Sequence, residues 1–301
     1  MLAIVIPYFK NDFFEATLQS LSDQTDKRFK VYIGDDASPN SCLATLEKFK
    51  ENFEFVYHRF DGNLGGASLV EQWQRCIELL NGEKWIMILG DDDLLENNCV
   101  AEFYHQLNEI EYNDCNLIRY SSMLVDAFGN EMSHKFFHPK IELYSDSFYR
   151  KIKNETRSSL SEYIFKKEIY EKYKFVHYPL AWHSDDMAWI EFSDSKFVYT
   201  INESTVYIRF SEINISGRQD NEDLKNIATL QFLRDIITGK FELFKSHQRL
   251  AILMKFEVFI KSKRKLKLKE WLFLYKYYLL HFRPLSTIKF TRRFLISIFN
   301  L

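Results

Sequence analysis

Runs of adjacent acidic residues are the most distinctive chemical feature of the sequence, because neighbouring carboxylates repel one another unless something compensates their charge. The longest run, Asp91–Asp93, is separated from the apolar segment Trp85–Leu89 only by Gly90. Divalent cations such as Mg²⁺ and Mn²⁺ bind carboxylate oxygens together with phosphate oxygens of a substrate. The run therefore predicts a metal site formed by Asp91, Asp92 and Asp93. The alternative is a solvated turn that caps the following helix.

Two further acidic pairs predict ligand binding and proton transfer. Asp35 and Asp36 follow a short apolar segment, and a carboxylate there can accept hydrogen bonds from a nucleoside base or ribose. An Asx-turn explains this pair equally well. Asp185 and Asp186 follow Ser184, where a carboxylate can act as the general base for an acceptor hydroxyl. The alternative for this pair is a capped helix N-terminus with acids in its first turn.

The elements that must position these acids alternate between strands and helices. Leu2–Ile6 and Trp85–Leu89 are apolar runs typical of strands buried on both faces of a parallel sheet. Further strands are predicted at Lys30–Gly34, Glu54–His58 and Thr205–Phe210, and helices at residues 11–23, 41–51, 63–80 and from about 220 to the end. Alternation of this kind indicates right-handed βαβ units. Polar clusters follow three of these strands, after Ile6, Ile33 and Leu89, so their acids are predicted to converge at the ligand-binding edge of the sheet.

Composition limits the possible classes of protein. With 301 residues, 46% of them hydrophobic, the chain can form one large core domain plus a tail. Four cysteines without a Cys-x-x-Cys pair predict buried, reduced thiols. The N-terminal segment does not resemble a signal peptide, and no apolar run is long enough to span a membrane. A cytoplasmic location is therefore expected, and the acidic body does not favour nucleic-acid binding.

The charge is divided unevenly along the chain. From Lys245 to Leu301 there are 14 Lys/Arg and two Asp/Glu, whereas the remainder carries 26 Lys/Arg and 40 Asp/Glu. The basic run Lys261–Lys269 precedes the apolar, aromatic segment Trp271–Leu280. Basic residues beside apolar faces predict peripheral contact with an anionic membrane. The alternative is a helical subdomain that packs on the core and exposes a solvated basic face.

Taken together, the motifs resemble those of the inverting family 2 glycosyltransferases, which have the GT-A fold. The matching segments, in chain order, are residues 3–9 (AIVIPYF), 20–25 (SLSDQT), 32–38 (YIGDDAS), Asn63–Gly65, 88–95 (ILGDDDLL) and 184–186 (SDD). The resemblance implies an α/β fold with a mostly parallel sheet in a catalytic domain at 1–218. Its nucleotide-sugar half would span about 1–122 and its acceptor half about 123–218, with a helical, basic C-terminal region at 219–301.

The resemblance also implies roles for individual residues. Pro7, Tyr8, Phe9, Asp35 and Asp36 would form the nucleoside pocket, and Asn63 and Gly65 would begin a helix whose N–H groups face the donor. Mn²⁺ or Mg²⁺ held by Asp91–Asp93 would bridge the diphosphate. Arg209 and Arg218 lie in a late segment that would help to close the site, where they could pair with the diphosphate.

The sequence departs from the family pattern at two places. The family usually has Leu-Asp-x-Asp-Asp at the metal motif, so Gly90 replaces its first aspartate and Asp92 becomes the main candidate ligand. The base motif is Asp-Asp instead of Glu-Asp. By position, Asp186 is the first candidate for the base and Asp185 the second.

The expected activity is transfer of a sugar from a UDP-sugar to a hydroxyl of a saccharide, free or carried on a polyprenyl diphosphate, in surface-polysaccharide synthesis. Two alternatives remain, namely a nucleotide-sugar-binding scaffold without catalysis and a sugar nucleotidyltransferase. The second usually needs a glycine-rich, basic loop after the first strand, and residues 8–13 contain no glycine.

Overall fold

The computed structural model describes residues 1–212, 214–282 and 284–299. The strands are β1 (Leu2–Tyr8), β2 (Phe29–Asp35), β3 (Phe55–Arg59), β4 (Trp85–Ile88), β5 (Leu94–Leu95), β6 (Leu117–Val125), β7 (Ile141–Leu143), β8 (Tyr163–Lys166) and β9 (Phe197–Arg209). The α-helices are α1 (Phe14–Ser22), α2 (Leu43–Phe49), α3 (Leu69–Ile77), α4 (Cys99–Tyr112), α5 (Tyr144–Ile152), α6 (Lys167–Tyr173), α7 (Ser184–Phe192), α8 (Glu222–Asp235), α9 (Ser246–Lys263), α10 (Leu268–His281) and α11 (Pro284–Phe299). Ile213 in the predicted catalytic domain, and Arg283, Asn300 and Leu301 in the predicted tail, lie outside the described residues.

All these strands belong to one sheet, in the order β3-β2-β1-β4-β8-β6-β9-β5, with β7 paired to β9. β1 is parallel to β2 and β4, and β2 is parallel to β3. β8 is antiparallel to β4 and β6, whereas β6 is parallel to β9. Strands β1 to β4, β6 and β9 therefore run in one direction, and the predicted GT-A-like, mostly parallel α/β sheet with flanking helices is confirmed.

The central strands are apolar throughout because both faces of the sheet are covered. In β1, Ala3 and Val5 belong to the hydrophobic cluster on one side of the sheet, while Leu2, Ile4 and Ile6 belong to the cluster on the other. Successive side chains of a strand point to opposite faces, so a continuous apolar run serves both clusters. The strand is thereby fixed in the middle of the sheet, and its carboxyl end lies at the edge of the sheet where the polar segments follow β1, β2 and β4.

The C-terminal helices extend one of these clusters. Ala228 of α8, Ile252 of α9, Trp271 of α10 and Phe290 of α11 are buried in the same cluster as Ala3 of the sheet. The predicted helical tail is therefore present and packs on the core. Where a boundary divides the chain, at 218 or elsewhere, remains a prediction.

Two helix starts differ from the predictions. Helix α1 begins at Phe14 with no side-chain cap, and not at a cap formed by Asn11 and Asp12. Helix α3 begins at Leu69, where the Ser68 hydroxyl accepts a hydrogen bond from the backbone N–H of Glu71. The loop Asn63–Gly66 therefore lies before the helix and does not form its first turn.

The four cysteines are buried free thiols, as predicted. Among the described residues, no helix combines the length and the apolar composition needed to cross a bilayer.

Candidate active site

A cavity of about 630 Å³ opens at the edge of the sheet where β1, β2 and β4 end. This volume lies within the range that small-molecule sites usually occupy. The sequence-predicted residues that line it are Pro7, Phe9, Asp36, Asn63, Gly65, Asp91, Asp92, Asp93, Asp185, Asp186, Arg209 and Arg218. Acids from segments far apart in sequence therefore meet around one space, whereas Tyr8 and Asp35 do not reach its wall.

The turn after β4 holds its carboxylates in different directions. One Asp91 oxygen accepts hydrogen bonds from the backbone N–H groups of Phe9, at 2.9 Å, and Lys10, at 2.8 Å. One Asp93 oxygen accepts the backbone N–H of Arg209 at 2.9 Å. Asp91 thus ties the turn to the loop after β1, and Asp93 ties it to the end of β9. Asp92 is the member of the run that neither backbone segment holds.

The ionised form of these three carboxylates is disfavoured by their surroundings. Burial, reinforced by repulsion from Asp92, raises the pKa of Asp91 to about 6 and that of Asp93 to about 7. Burial also raises the pKa of Asp92. A turn that only capped a solvated helix would leave its acids in water, whereas Asp93 is buried and Asp91 and Asp92 are partly buried, and α4 begins later, at Cys99. A cation bound at this turn would relieve the repulsion among the three carboxylates.

The residues present suit a cation that substrate oxygens help to coordinate, not one enclosed by protein alone. In the described part of the chain, no three His, Cys, Asp or Glu side chains are arranged to hold a metal ion. After the backbone contacts are counted, both oxygens of Asp92 and one oxygen each of Asp91 and Asp93 remain as donors. Mg²⁺ and Mn²⁺ commonly bind through one or two carboxylates plus phosphate oxygens.

Gly90 leaves room for both carboxylates to fold back over the turn. A Cβ at this position would lie 2.9 Å from Asp92 Oδ1 and 3.0 Å from Asp93 Oδ2. The backbone N–H of Gly90 donates to Ser161 Oγ at 3.0 Å, which fixes the turn from the other side. The glycine that replaces the family's first aspartate is thus matched to the positions of the next two acids.

We expect Gly90→Ala to weaken divalent-cation-dependent nucleotide binding about tenfold, since the new methyl group must displace Asp92 and Asp93. Stability should change by less than about 1 kcal/mol, the usual scale of a glycine-to-alanine exchange. Calorimetric titration with UDP and Mn²⁺ measures the affinity. Gly239→Ala is the matched control, because its Cβ meets nothing within 4 Å. Equal affinity in both variants would show that the carboxylate positions do not matter.

Asp35 and Asp36 are adjacent, but only one of them faces the cavity. Asp35 is fully buried, and its carboxylate accepts hydrogen bonds from Ser38 N–H at 2.8 Å, Tyr57 Oη at 2.6 Å and Arg59 at 2.7 Å. The Ser38 N–H lies three residues on and not two as in an Asx-turn, so Asp35 closes the turn after β2 without matching that alternative, and the expectation of direct nucleoside contact does not fit its placement. Asp36 does line the cavity.

The loop before α3 is organised by Asp36. Its carboxylate accepts the backbone N–H groups of Leu64 at 2.7 Å and Gly65 at 2.9 Å, and it pairs with Arg75. The N–H groups that were expected to face an anionic ligand at a helix start are thus already bound to a protein carboxylate. A Cβ on Gly65 would lie 2.6 Å from Asp36 Oδ2, so glycine permits this close approach.

Tyr8 is a structural residue of the β1 end. Its ring is buried, and its hydroxyl donates to the Asn40 carbonyl at 2.9 Å. Its neighbours Pro7 and Phe9 line the cavity instead. Tyr8 therefore holds the polar loop after β2 in place behind them. The expectation that Tyr8 lines the nucleoside pocket does not agree with this position.

The second acidic pair lies at the start of α7. Asp186 is buried, pairs with Lys151 of α5, and lies 2.7 Å from His183 Nδ1. Burial alone would raise the pKa of Asp186, but Lys151 and His183 hold it below its usual value. The contact between Lys151 and Asp186 could not be predicted from the sequence, because a lone lysine on a helix belongs to no recognisable motif.

Asp185 has the opposite character. It lines the cavity and forms no salt bridge with any described residue. Burial, reinforced by the neighbouring Asp186 charge, raises the pKa of Asp185 to about 7. A general base is most effective when its pKa lies near the working pH. Lys151 and His183 each contact one oxygen of the Asp186 carboxylate, whereas no described cation pairs with Asp185, so Asp185 is the acid whose carboxylate is better placed to meet a ligand in the cavity.

The backbone that leads into these acids is strained. Leu180, Ala181 and His183 have φ values of 59°, 54° and 70°, in the left-handed region that non-glycine residues seldom adopt. His183 is the residue before α7, and no side chain caps the helix. The alternative of a capped helix N-terminus is thus wrong about the cap but right that Asp185 and Asp186 lie in the first turn of α7. Such strain is common at functional sites.

Both predicted arginines reach the cavity but already have partners. Arg209 donates to the backbone carbonyls of Asp92, Asp126 and Ala127, each at 2.9 Å. It therefore holds the turn after β4 against β9. Arg218 pairs with Asp220 and is half exposed. Pairing of either guanidinium with a diphosphate remains a prediction.

Comparison with known proteins agrees with this architecture. The model of glycosyl transferase family 2 matches residues 3–178, more than half of the chain. The protein therefore belongs to glycosyl transferase family 2, and transfer of a glycosyl group is its class of activity. The matched segment ends before Asp185, so it does not decide between the two acids of α7.

Solved structures with a similar fold include TarS of S. aureus. Residues 1–349 of TarS in complex with UDP-GlcNAc match with a TM-score of 0.64 and 14% identity, over 92% of this chain and 79% of that one. The complex of TarS 1–349 with UDP matches with a TM-score of 0.61 and 14% identity, over 89% and 76%. At this identity the likeness concerns the fold. No curated protein sequence matches the chain.

Proposed function

We propose that this protein transfers a sugar from a UDP-sugar to a hydroxyl of a saccharide acceptor, with inversion at the anomeric carbon. The observation that carries the proposal is that Asp36, Asp92 and Asp185 line one cavity at the carboxyl edge of the sheet in a family 2 chain. UDP as the nucleotide is supported by the TarS complexes with UDP-GlcNAc and UDP.

The donor nucleoside binds beside Pro7, Phe9 and Asp36. Asp36 is fixed by Arg75 and by two backbone N–H groups, so its carboxylate is held rigidly at the cavity wall. Asp35 and Tyr8 support this half of the site from behind. Rigid placement matters because nucleotide-sugar chemistry depends mainly on orientation and electrostatics.

Asp92, assisted by Asp93, would hold Mn²⁺ or Mg²⁺ at the diphosphate. When bound, the ion supplies positive charge that stabilises the departing nucleoside diphosphate. The raised pKa values of the buried run support this assignment, since a cation relieves the repulsion that raises them. Arg209 and Arg218 border the same space and are candidates for further diphosphate contacts.

Asp185 accepts the proton of the acceptor hydroxyl as the hydroxyl oxygen attacks the anomeric carbon. One carbon–oxygen bond forms to the acceptor while the bond to the diphosphate oxygen breaks, so the configuration inverts. Asp186 stays ionised beside Lys151 and His183 and orients the start of α7. The acceptor is a saccharide, free or carried on a polyprenyl diphosphate, in surface-polysaccharide synthesis, and the enzyme works in the cytoplasm or at the inner membrane face.

The dependence of kcat/KM on pH follows from this assignment. A base must be ionised to act, and the pKa of Asp185 is raised to about 7. We expect kcat/KM to fall about tenfold per pH unit below 7 and to level off above it. The measurement is a pH profile at fixed Mn²⁺ concentration. The His183→Gln variant should show the same fall in kcat/KM below pH 7. If the fall were absent in this variant, the group responsible would be the His183 imidazole and not Asp185.

A thermal-shift screen of nucleotides tests the donor assignment. UDP with Mn²⁺ at one hundred times its dissociation constant should add about 2.7 kcal/mol to the free energy of unfolding. GDP and CMP should add less, and Asp36→Asn should reduce the shift with UDP. Tight binding of UDP-sugars without release of UDP, given suitable acceptors, would favour the scaffold alternative. Release of pyrophosphate from UTP and a sugar phosphate would favour the nucleotidyltransferase alternative.

A further inference from the structure

Helix α10 exposes an apolar stripe that the core does not use. Its exposed leucines are Leu268 (60%), Leu272 (57%), Leu279 (57%) and Leu280 (65%). At 100° per residue these four positions fall within one third of the helix circumference. The opposite face, with Trp271, Leu274 and Tyr278, is buried. The stripe is therefore additional to the residues that fold the helix.

Helix α11 repeats this arrangement. Its exposed aliphatic residues are Leu285 (64%), Ile288 (62%), Leu295 (44%) and Ile296 (39%). They too share one arc of the helix. The buried side is fixed on α10, since Phe290 packs 5.3 Å from Trp271 and 4.4 Å from Tyr278 between ring centroids. The two helices thus bind one another through aromatic residues and leave their aliphatic arcs uncovered.

Cations lie within the same arcs. Lys269 and Lys276 fall on the exposed arc of α10, and Lys289 and Arg292 fall on that of α11. None of the four forms a salt bridge with another described residue. The two acids of this region are neutralised, because Glu257 pairs with Lys261 and Arg293, and Glu270 pairs with Arg264. Each of the two arcs therefore combines aliphatic side chains with positive charge that no described acid pairs.

We propose that the exposed arcs of α10 and α11 form a docking surface for an anionic lipid bilayer. Leucine and isoleucine side chains enter the acyl–headgroup boundary, while lysine and arginine ammonium and guanidinium groups meet lipid phosphates. A second copy of the chain fits this surface poorly, because a two-fold contact would bring the same cations against one another. The proposal does not depend on sugar transfer.

Flotation of the full chain with lipid vesicles tests the proposal. We expect binding to vesicles of phosphatidylcholine with 30% phosphatidylglycerol, and at least tenfold weaker binding to pure phosphatidylcholine. Raising the salt from 50 to 500 mM should also weaken binding at least tenfold, since the electrostatic part is screened.

Two variants separate the two components of the surface. Leu272→Gln combined with Leu279→Gln and Ile288→Gln should reduce binding at least tenfold. Lys269→Gln with Lys276→Gln, Lys289→Gln and Arg292→Gln should abolish the preference for phosphatidylglycerol. These side chains are exposed, so melting temperatures should remain close to wild type. The matched control is Tyr112→Gln with Phe128→Gln, which removes aromatic rings 89% and 90% exposed elsewhere and should bind like wild type.

Equal binding of wild type and both variants, or no binding to anionic vesicles, would overturn the proposal. A wild-type dimer in light scattering that becomes monomeric in the leucine variant, without vesicle binding, would assign the surface to a second copy instead. Since UDP binding enters none of these measurements, their outcome is independent of the donor site.

Discussion

Asparagine in place of Asp185 is expected to lower kcat for sugar transfer by about 10²- to 10⁴-fold, the usual contribution of a general base. The amide keeps the size of the side chain but cannot accept the acceptor proton. The free energy of unfolding should be unchanged or higher, because Asp185 has no salt bridge to lose and its partly buried charge is removed. Steady-state release of UDP from UDP-GlcNAc, with a saccharide acceptor and Mn²⁺, measures the effect.

The partner variant Asp186→Asn provides the contrast. Loss of the carboxylate leaves Lys151 without its buried partner, which should destabilise the fold by about 3 kcal/mol. Activity should fall with stability and recover in part at lower temperature. A stable but inactive Asp186→Asn, beside a nearly normal Asp185→Asn, would return the base role to Asp186 as its position in the sequence suggested.

Asp92→Asn is expected to lower kcat/KM by about 10²- to 10³-fold and to remove most of its dependence on Mn²⁺. Stabilisation of the leaving diphosphate by a metal ion contributes several kcal/mol, which corresponds to this range. The asparagine side chain occupies the same space without the charge that a divalent cation requires. Initial rates over a Mn²⁺ titration, in wild type and variant, measure both quantities.

A surface acid serves as the control for this substitution. Asp114 is 70% exposed and does not line the cavity, so Asp114→Asn should leave both kcat/KM and its response to Mn²⁺ unchanged. If Asp92→Asn retained the wild-type response to Mn²⁺, the cation would have to be held elsewhere or be absent from the reaction.

The meeting of the acidic segments could be predicted from sequence, because the positions of the strands and their parallel arrangement follow from strong local patterns. The apolar runs of β1 and β4 serve two hydrophobic clusters, which places both strands in the centre of the sheet. In a parallel sheet their carboxyl ends share an edge. Asp36 and Asp92 therefore reach the same cavity, although 56 positions separate them in the chain.

The direction of each side chain could not be predicted, because it depends on residues that only the fold brings near. Asp35 turns inward since Tyr57 and Arg59 of β3 lie beside it. Asp186 turns towards Lys151, which is 35 residues away in the chain. No local motif distinguishes these acids from their neighbours Asp36 and Asp185.

The start of α3, in contrast, could be predicted from a local sequence motif. Ser68 and Glu71 have the spacing of a capping box directly before an apolar run. The glycines of Asn63–Gly66 instead allow Asp36 to approach the backbone of the loop. Glycine before a helix therefore indicated a close contact and not the helix start.

Calorimetric titration of UDP-GlcNAc tests most directly whether the acids after β2 and β4 form one donor site. In Mn²⁺ the wild-type protein should bind one equivalent, and binding should weaken at least tenfold in Asp36→Asn, in Asp92→Asn, and in wild type after Mn²⁺ is removed with EDTA. Undiminished affinity in both variants, or no heat with any nucleotide sugar, would contradict the donor site described above.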